Sequence, residues 1–461
     1  MDVSSEIKQL YKSDSTQKTL LVTFPDLDLT LDVANICADS MTLRESILES
    51  NSIEFVGCIS SVFELQIYGI YEKLKGERIE VSIQADNTEP IPLFQGIVDS
   101  AKMQTNKRYK KITAYDVLYT KGNTEVSAWY NSLSFPITLR DLRNSLFSYI
   151  GITQAEIELP NDNISIKKQY DPKSLKALNV IKAICQINGA FGIINREGIF
   201  EYRILAESIV AATYPSTVLF PSTGLHPMNP TSQASSVAAA EIKAESFAYY
   251  KTVDYEEYEV KPVDKLTIRQ NEDDKGVTYG SGTNNYIIQG NMFTYKLAKD
   301  VLAVIAENVY KNIQGISYHP FTSVNNGLPW IECGVDAVSY YVNDYYPGIE
   351  RNTNEPAQKS FYVFSRELSG IQALRDSYNA EGEEYQTEFI TDLQTQIDTI
   401  KQNISKDVDS KIEDYTYSKD EIDSMIIESG GGTVNIISVD VLPANPDSNT
   451  IYLIRGEVIV E

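Results

Sequence analysis

Over the first 120 residues apolar and polar positions alternate in short runs separated by turn residues. Residues 20–24, 64–68, 78–84 and 111–115 are rich in β-branched and aromatic side chains and read as strands of a β-barrel or sandwich. Residues 93–98 add another strand, and Gly96 within it marks a bulge or a close backbone approach. The period then changes. Thr138 can cap a helix carrying Leu139, Leu142, Leu146, Phe147 and Ile150 on one face, with Asp141 near the capping-box position and Gly151 as its stop. A second helix has Asp171 as cap, Pro172 in its first turn, Leu175, Leu178, Ile181 and Cys185 facing inward, and Asn188 with Gly189 closing it. Residues 191–194 and 199–204 flank Asn195, Arg196, Glu197 and Gly198 and read as a hairpin. The stretch 221–240, rich in Pro, Ser and Ala, suits a linker or extended loop. Beyond it residues 258–270 alternate as a strand, and residues 295–313 predict a helix with Leu297, Val301, Ile305 and Val309 inward. Residues 328–342 and 361–368 read as further strands.

From residue 390 the spacing changes again. Ile390, Leu393, Ile397, Ile400 and Ile404 follow alternating steps of three and four, the seam of a coiled coil. Isoleucine at both a and d positions favours trimers over dimers. After Ile404 the next d position is Asp407, while Val408 and Ile412 continue at steps of four, a stutter that locally unwinds a supercoil. The expected product is a short trimeric stalk that loosens before the triple glycine Gly430 to Gly432, followed by a short β-rich end. The fold class expected is α+β, mainly β. Its parts are a first β-barrel-like domain (1–120), an α+β domain of helices plus hairpin (121–220), a second β-rich barrel-like domain with one helix (221–384), a coiled-coil stalk (385–429) and a short β module (430–461).

Composition agrees with a globular, assembling chain. A length of 461 residues allows about three independently cored domains. Tyr 30 against Phe 15 and Trp 2 favours half-buried strands and wet interfaces. A net charge of −24 disfavours nonspecific attachment to phosphate backbones. The one local basic cluster, with Lys107, Arg108, Lys110 and Lys111, reads as the solvated turn of a hairpin. The start lacks a secretory leader pattern, and no apolar run reaches the length of a membrane span. Cys37, Cys58, Cys185 and Cys333 have no CxxC spacing and read as reduced core residues rather than a zinc site or disulfide framework.

Chemistry is sparse. His226 and His319 are the only histidines, both precede proline, and structural roles are expected for both. No HExxH, GxSxG or P-loop pattern occurs. Asn271, Asp273 and Gly276 resemble the start of a calcium loop, but Lys275 sits at a ligand position and Gly282 replaces the closing carboxylate, so a solvated turn is expected. No catalytic residue, metal or cofactor is expected.

Several phrases carry a resemblance. FQGIV, ITAYDVLY and VSAWYNSLSFPITLRDLRNSLFSYIGI, in that order, resemble the amino-terminal half of phage tail hub proteins, including the tail-associated hub of long-tailed phages of Gram-positive hosts. ALNVIKAICQINGAFGIINREGIFEYRIL is similar to that family's helix and hairpin. NGLPWIECGVDAVSYY and FYVFSRELSGIQALRDSYNAEGEE are similar to the closing of its second barrel. YTYSKDEIDSMI resembles a repeat of tail fibres and baseplate components, and VLPANPDSNTIYLIRGEVIVE a terminal module of tail-tip proteins. The resemblance implies a structural virion protein: a homotrimeric baseplate hub that joins a sixfold tail tube to a threefold tip and lines the DNA exit path. It implies as partners the distal tail or tail tube protein, the tape measure protein, and receptor-binding or fibre proteins at the carboxy-terminal module. The absence of a leader pattern and of a long apolar run gives the expectation of synthesis in the host cytoplasm and no stable membrane insertion, and the acidic net charge that of passage of DNA without specific binding. Members of the group often labelled prophage endopeptidase tail give the alternative of a cell-wall endopeptidase, and the tyrosine content with the terminal module gives that of a host-binding adhesin.

Overall fold

Period-two alternation decides the first seven strands. A short helix α1 (Ser5–Tyr11) leads into β1 (Lys18–Phe24), β2 (Leu29–Thr30), β3 (Thr42–Ser46), β4 (Val62–Tyr68), β5 (Arg78–Ala85), β6 (Ile91–Met103) and β7 (Tyr109–Tyr115). In β4, Phe63, Leu65 and Ile67 are buried, and in β5, Ile79, Val81, Ile83 and Ala85, with half-exposed residues between them. One face of an antiparallel sheet thus covers the core while the other meets water. Gly96 lies where a Cβ would come within 2.3 Å of the Tyr115 carbonyl oxygen, the close approach its place in the strand implied.

The computed structural model describes residues 3–210 except 14, 50–54, 56, 105–107 and 169–171, residues 241–342 except 248–249 and 271–272, residues 357–383 and 388–391, and strands at 435–439 and 450–454. Residues 1–393 make up one unit and residues 394–461 another.

The middle of the first unit runs α2 (Val117–Gly122), α3 (Ser127–Ser132), β8 (Ile137–Thr138), α4 (Leu139–Ile150), β9 (Ser165–Ile166), α5 (Ala177–Gln186), β10 (Phe191–Ile194), β11 (Phe200–Arg203) and β12 (Ser208–Val210). Helix α4 has the predicted bounds. The Thr138 hydroxyl accepts from the Asp141 amide, Gly151 ends the helix in the left-handed region at φ 70°, and all five predicted apolar residues are buried. Helix α5 begins at Ala177, later than Pro172 implied. The reason is local: the Val126 amide donates to the Leu175 carbonyl and the Ala177 amide to that of Thr124, which holds residues 175–177 extended before the helix can start.

The remaining strands are β13 (Glu241–Phe247), β14 (Thr252–Tyr255), β15 (Lys265–Arg269), β16 (Val277–Gly280), β17 (Asn285–Gln289), β18 (Phe321–Asn326), β19 (Ala337–Val342), β20 (Ala357–Tyr362), β21 (Ser365–Ser369), β22 (Arg375–Ala380) and β23 (Glu388–Thr391). Helix α6 (Lys299–Ile313) lies between β17 and β18 and buries Leu302, Ile305, Ala306, Val309 and Ile313, so Leu297 precedes it and Val301 is only half-buried. Three expected strands are shorter than their patterns. Of 258–270 only β15 is regular, 328–336 forms no strand ahead of β19, and 361–368 is divided between β20 and β21 at Val363 and Phe364.

Strands from both β-rich regions form one eleven-stranded sheet, in the order β14-β18-β22-β21-β3-β4-β7-β6-β5-β1-β2. The junction is antiparallel pairing of β21 with β3, in register from Ser365↔Ser46 to Ser369↔Thr42. Two four-stranded sheets, β12-β13-β19-β20 and β16-β15-β17-β23, accompany it. The chain is mainly β with few helices.

The last strand of this unit bears on the expected stalk. Ile390, placed by its spacing at the first a position of a helix, lies in β23, which runs parallel to β17 in a register that pairs Ile390 with Ile287. Backbone pairing to an available sheet edge takes precedence there over helical periodicity. Leu393, Ile397, Ile400, Ile404, Val408 and Ile412 lie outside the described residues, as do His226 and the 221–240 stretch. In the second unit β24 (Asn435–Val439) and β25 (Thr450–Ile454) pair in parallel.

Candidate functional site

Residues 328–336, which the sequence read as strand, instead present their carbonyls to three buried arginines. Arg366 on β21 is fully buried and grips Asp376 of β22 through two hydrogen bonds, Nε to Oδ1 at 2.7 Å and Nη2 to Oδ2 at 2.8 Å. The same guanidinium donates to the Leu328 carbonyl at 2.8 Å and to that of Ile331. Arg196, in the β10–β11 turn, donates to the carbonyls of Pro329 and, at 2.6 Å, Ile331. Arg203 on β11 donates to the Cys333 carbonyl at 2.5 Å and reaches Glu332 at 2.6 Å and Glu201 at 3.1 Å. Glu45 of β3 stands between Arg366 at 3.5 Å and Arg196 at 3.6 Å. An arginine's planar fork suits this role, since one side chain can satisfy several carbonyls and a carboxylate together.

The lattice joins β3, the β10–β11 hairpin, β21, β22 and the 328–336 segment. Burial raises the Glu332 carboxyl, and nearby positive charge, Arg196 and Arg203 foremost, overcomes that and lowers it to about 2. Burial raises Asp336, whose Oδ2 accepts from the Glu332 amide at 2.7 Å. Trp330, also buried, meets Tyr11 of α1 edge-on at 5.9 Å, and the Lys8 ammonium stands 5.3 Å from its ring. Lys8 and Lys12 both pair with Glu245 of β13.

A second set of buried polar contacts ties the α+β segment to α6. Arg143 of α4 grips Asp162 with two bonds of 2.8 Å. Asn291 donates to the Ala183 carbonyl and to Gln186, Asn308 to Asn161, and Asn312 to the Asn188 carbonyl. Asp116 caps α2 and accepts from the Ser61 and Leu118 amides at 2.6 and 2.9 Å; burial raises its carboxyl to about 7 against those bonds.

None of this resembles an exposed acid–base pair. The carboxylates named in these lattices face arginines, lysines or backbone amides, so the arrangement holds segments together. His319 is half-buried and shares a 2.9 Å hydrogen bond with the Tyr258 carbonyl, which requires a proton on Nδ1. Asp274 accepts from the Gln270 and Gly276 amides and closes a turn between β15 and β16. Among the described residues no cluster of three or more His, Cys, Asp or Glu is placed to hold a metal, and no helix is long and apolar enough to cross a membrane. Residues 102–111 form the expected hairpin of β6 and β7 with Arg108 exposed, and Lys111 pairs with Glu64 at 3.2 Å; Lys110 alone departs from the expectation, being buried and donating to the Glu72 carbonyl, and Lys107 lies outside the described residues. Cys58, Cys185 and Cys333 are buried and Cys37 half-buried. A groove of about 500 Å³ opens beside β3, β21, β22 and β18, lined by Arg44, Ser60, Thr322, Glu367 and Asn379. A second of about 430 Å³ is lined by Lys18, Lys251, Gln372 and Arg375.

The buried arginines carried no distinct sequence signal. Arg196 sits in a turn motif that ordinarily faces water, and Arg366 alternates with residues of a strand. A usable hint was the irregular NGLPWIECG stretch, where proline and two glycines break the expected strand and leave carbonyls that need donors.

No protein-family model and no curated protein matches this chain. Among solved structures it is similar to a tail protein from Neisseria meningitidis MC58, with TM-score 0.44 and 11% identity over 80% of this chain and 98% of that one. It is also similar to the 43 kDa tail protein of prophage MuSo2 from Shewanella oneidensis, with TM-score 0.45 and 9% identity over 79% of this chain and 98% of that one.

Proposed function

We propose that this chain is a structural protein of a phage tail, a trimeric baseplate-hub or tail-tip subunit that joins a sixfold tail tube to a threefold tip and lines the DNA exit path. The observation that carries the reading is the β3–β21 pairing, which lays two β-rich regions edge to edge within one subunit. Three such subunits in a ring would present six β-rich bodies to a sixfold tube, so the symmetry mismatch is absorbed inside each chain. The ordered sequence blocks of the tail-hub resemblance support it independently. A rigid first unit also suits a load-bearing connector, and the arginine lattice supplies that rigidity through contacts distant in sequence. The net charge of −24 suits a passage that phosphates traverse without sticking.

In this role the chain acts without catalysis, its partners being two further copies, the tail tube or distal tail protein, and the tape measure protein. Negative-stain images of the purified full chain test the arrangement: rings with threefold symmetry and six peripheral densities support it, and isolated monomers at micromolar concentration overturn it. Release of peptidoglycan fragments by the same preparation would favour the endopeptidase reading instead.

A further inference from the structure

Two of the buried cysteines meet, although 126 residues separate them in the chain. Cys58 follows Gly57 beside β10, and Cys185 lies on the inward face of α5; the Cys58 thiol donates to the Cys185 sulfur at 3.6 Å. Cys58 makes an isolated bridge with Gly192, and a Cβ at Gly192 would sit 2.6 Å from the Cys58 sulfur. Glycine at that position therefore leaves the space the sulfur occupies. The Cys58 amide donates to Glu49 at 2.9 Å, and Glu49 in turn pairs with Lys182 of α5 at 2.6 Å, so an ion pair already spans the same junction.

We propose that Cys58 and Cys185 are an oxidative modification site, at which a small hydroperoxide converts the two thiols into a disulfide that ties the segment after β3 to α5. A disulfide needs its sulfurs at about 2.05 Å, so closing the pair requires an approach of about 1.5 Å. Cys58, at 4% exposure against 0% for Cys185, meets the hydroperoxide first. Its sulfur attacks one peroxide oxygen, the O–O bond breaks, and the thiol proton leaves with the departing oxygen, giving Cys58 sulfenic acid. The Cys185 sulfur then attacks the Cys58 sulfur, the S–O bond breaks, and the hydroxyl leaves as water with the Cys185 proton. One hydroperoxide is reduced as two thiols are oxidised. In a reducing cytoplasm the pair stays as thiols, and the bond forms only after exposure to oxidant. The inference does not depend on the tail reading.

The test uses the intact wild-type chain. It is treated in the folded state with hydrogen peroxide, quenched with an alkylating agent, denatured and digested without reductant. The expected result is a peptide joining Cys58 to Cys185, abolished by reductant, with a rise in thermal midpoint of about 5 °C from closing so long a loop. The Cys58→Ser and Cys185→Ser variants should each yield no linked peptide at the remaining partner. Recovery of both residues alkylated as free thiols after Cys37 has been oxidised would overturn the proposal. So would linkage of either to Cys37 or Cys333, or joining of two chains.

Discussion

Replacing Arg366 with methionine tests whether the arginine lattice holds the first unit together. The substitution keeps much of the volume and removes every charged donor. Of its acceptors, the Ile331 carbonyl keeps Arg196 at 2.6 Å, the Leu328 carbonyl keeps a 3.2 Å bond from the Ile331 amide, and Glu45 keeps Arg196 at 3.6 Å, so none of the three is orphaned. The loss falls on Asp376, fully buried, which among the described residues retains the Leu328 amide and the Tyr378 hydroxyl. Stranding one member of a buried ion pair costs about 3–5 kcal/mol, which sets the expected destabilisation at about 4 kcal/mol. Adding Asp376→Leu removes the stranded charge, so the double variant should be more stable than the sum of the two single changes by at least about 2 kcal/mol. Trp330 lies within the lattice, and in a Trp129→Phe background its fluorescence is the sole tryptophan signal. Urea titration of the four proteins of the cycle gives each midpoint and slope. A single Arg366→Met change within about 1 kcal/mol of the parent, or two additive single changes, would refute the assignment.

Glu332, lowered to about 2 from an ordinary 4.5, contributes stability that is present above pH 4.5 and is lost as pH falls towards 2. Stability should therefore fall between pH 7 and pH 3 by about 2 kcal/mol less in Glu332→Gln than in the parent; equal falls would count against it. Gly96→Ala places a Cβ within 2.3 Å of the Tyr115 oxygen and should cost about 2–3 kcal/mol, whereas Gly76→Ala, at φ 91° with open space around it, should cost about 1 kcal/mol by the same urea titration. Ile397→Asp with Ile400→Asp should lower the solution mass of the full chain on dilution below that of the wild type; an unchanged mass would locate the subunit contacts outside the predicted seam.

What was legible in the sequence was local. The alternation of β4 and β5, the Thr138 cap and Gly151 stop of α4, and the hairpin around Asn195 each depend on neighbours within a dozen residues, and the structure has them where the pattern put them. Non-local pairing was not legible. Nothing within residues 42–46 announces that their partner is 365–369, because any alternating strand can pair with any other of compatible length. The same holds for Arg196, Arg203 and Arg366, whose acceptors lie far away in the chain or in a segment mistaken for strand. Ile390 shows a competition between two local rules, since a residue at heptad spacing also fits a parallel strand once an edge is offered by β17. Lys110 shows burial overriding charge, because a carbonyl at Glu72 stands within reach of its ammonium.

The proposed hub is a ring of three copies of this chain. Light scattering of the purified full chain, followed from high to low micromolar concentration, tests it most directly. A particle of about 155 kDa, three times the 51.7 kDa of one chain, should be seen and should persist on dilution. A mass of 51.7 kDa throughout that range would contradict it.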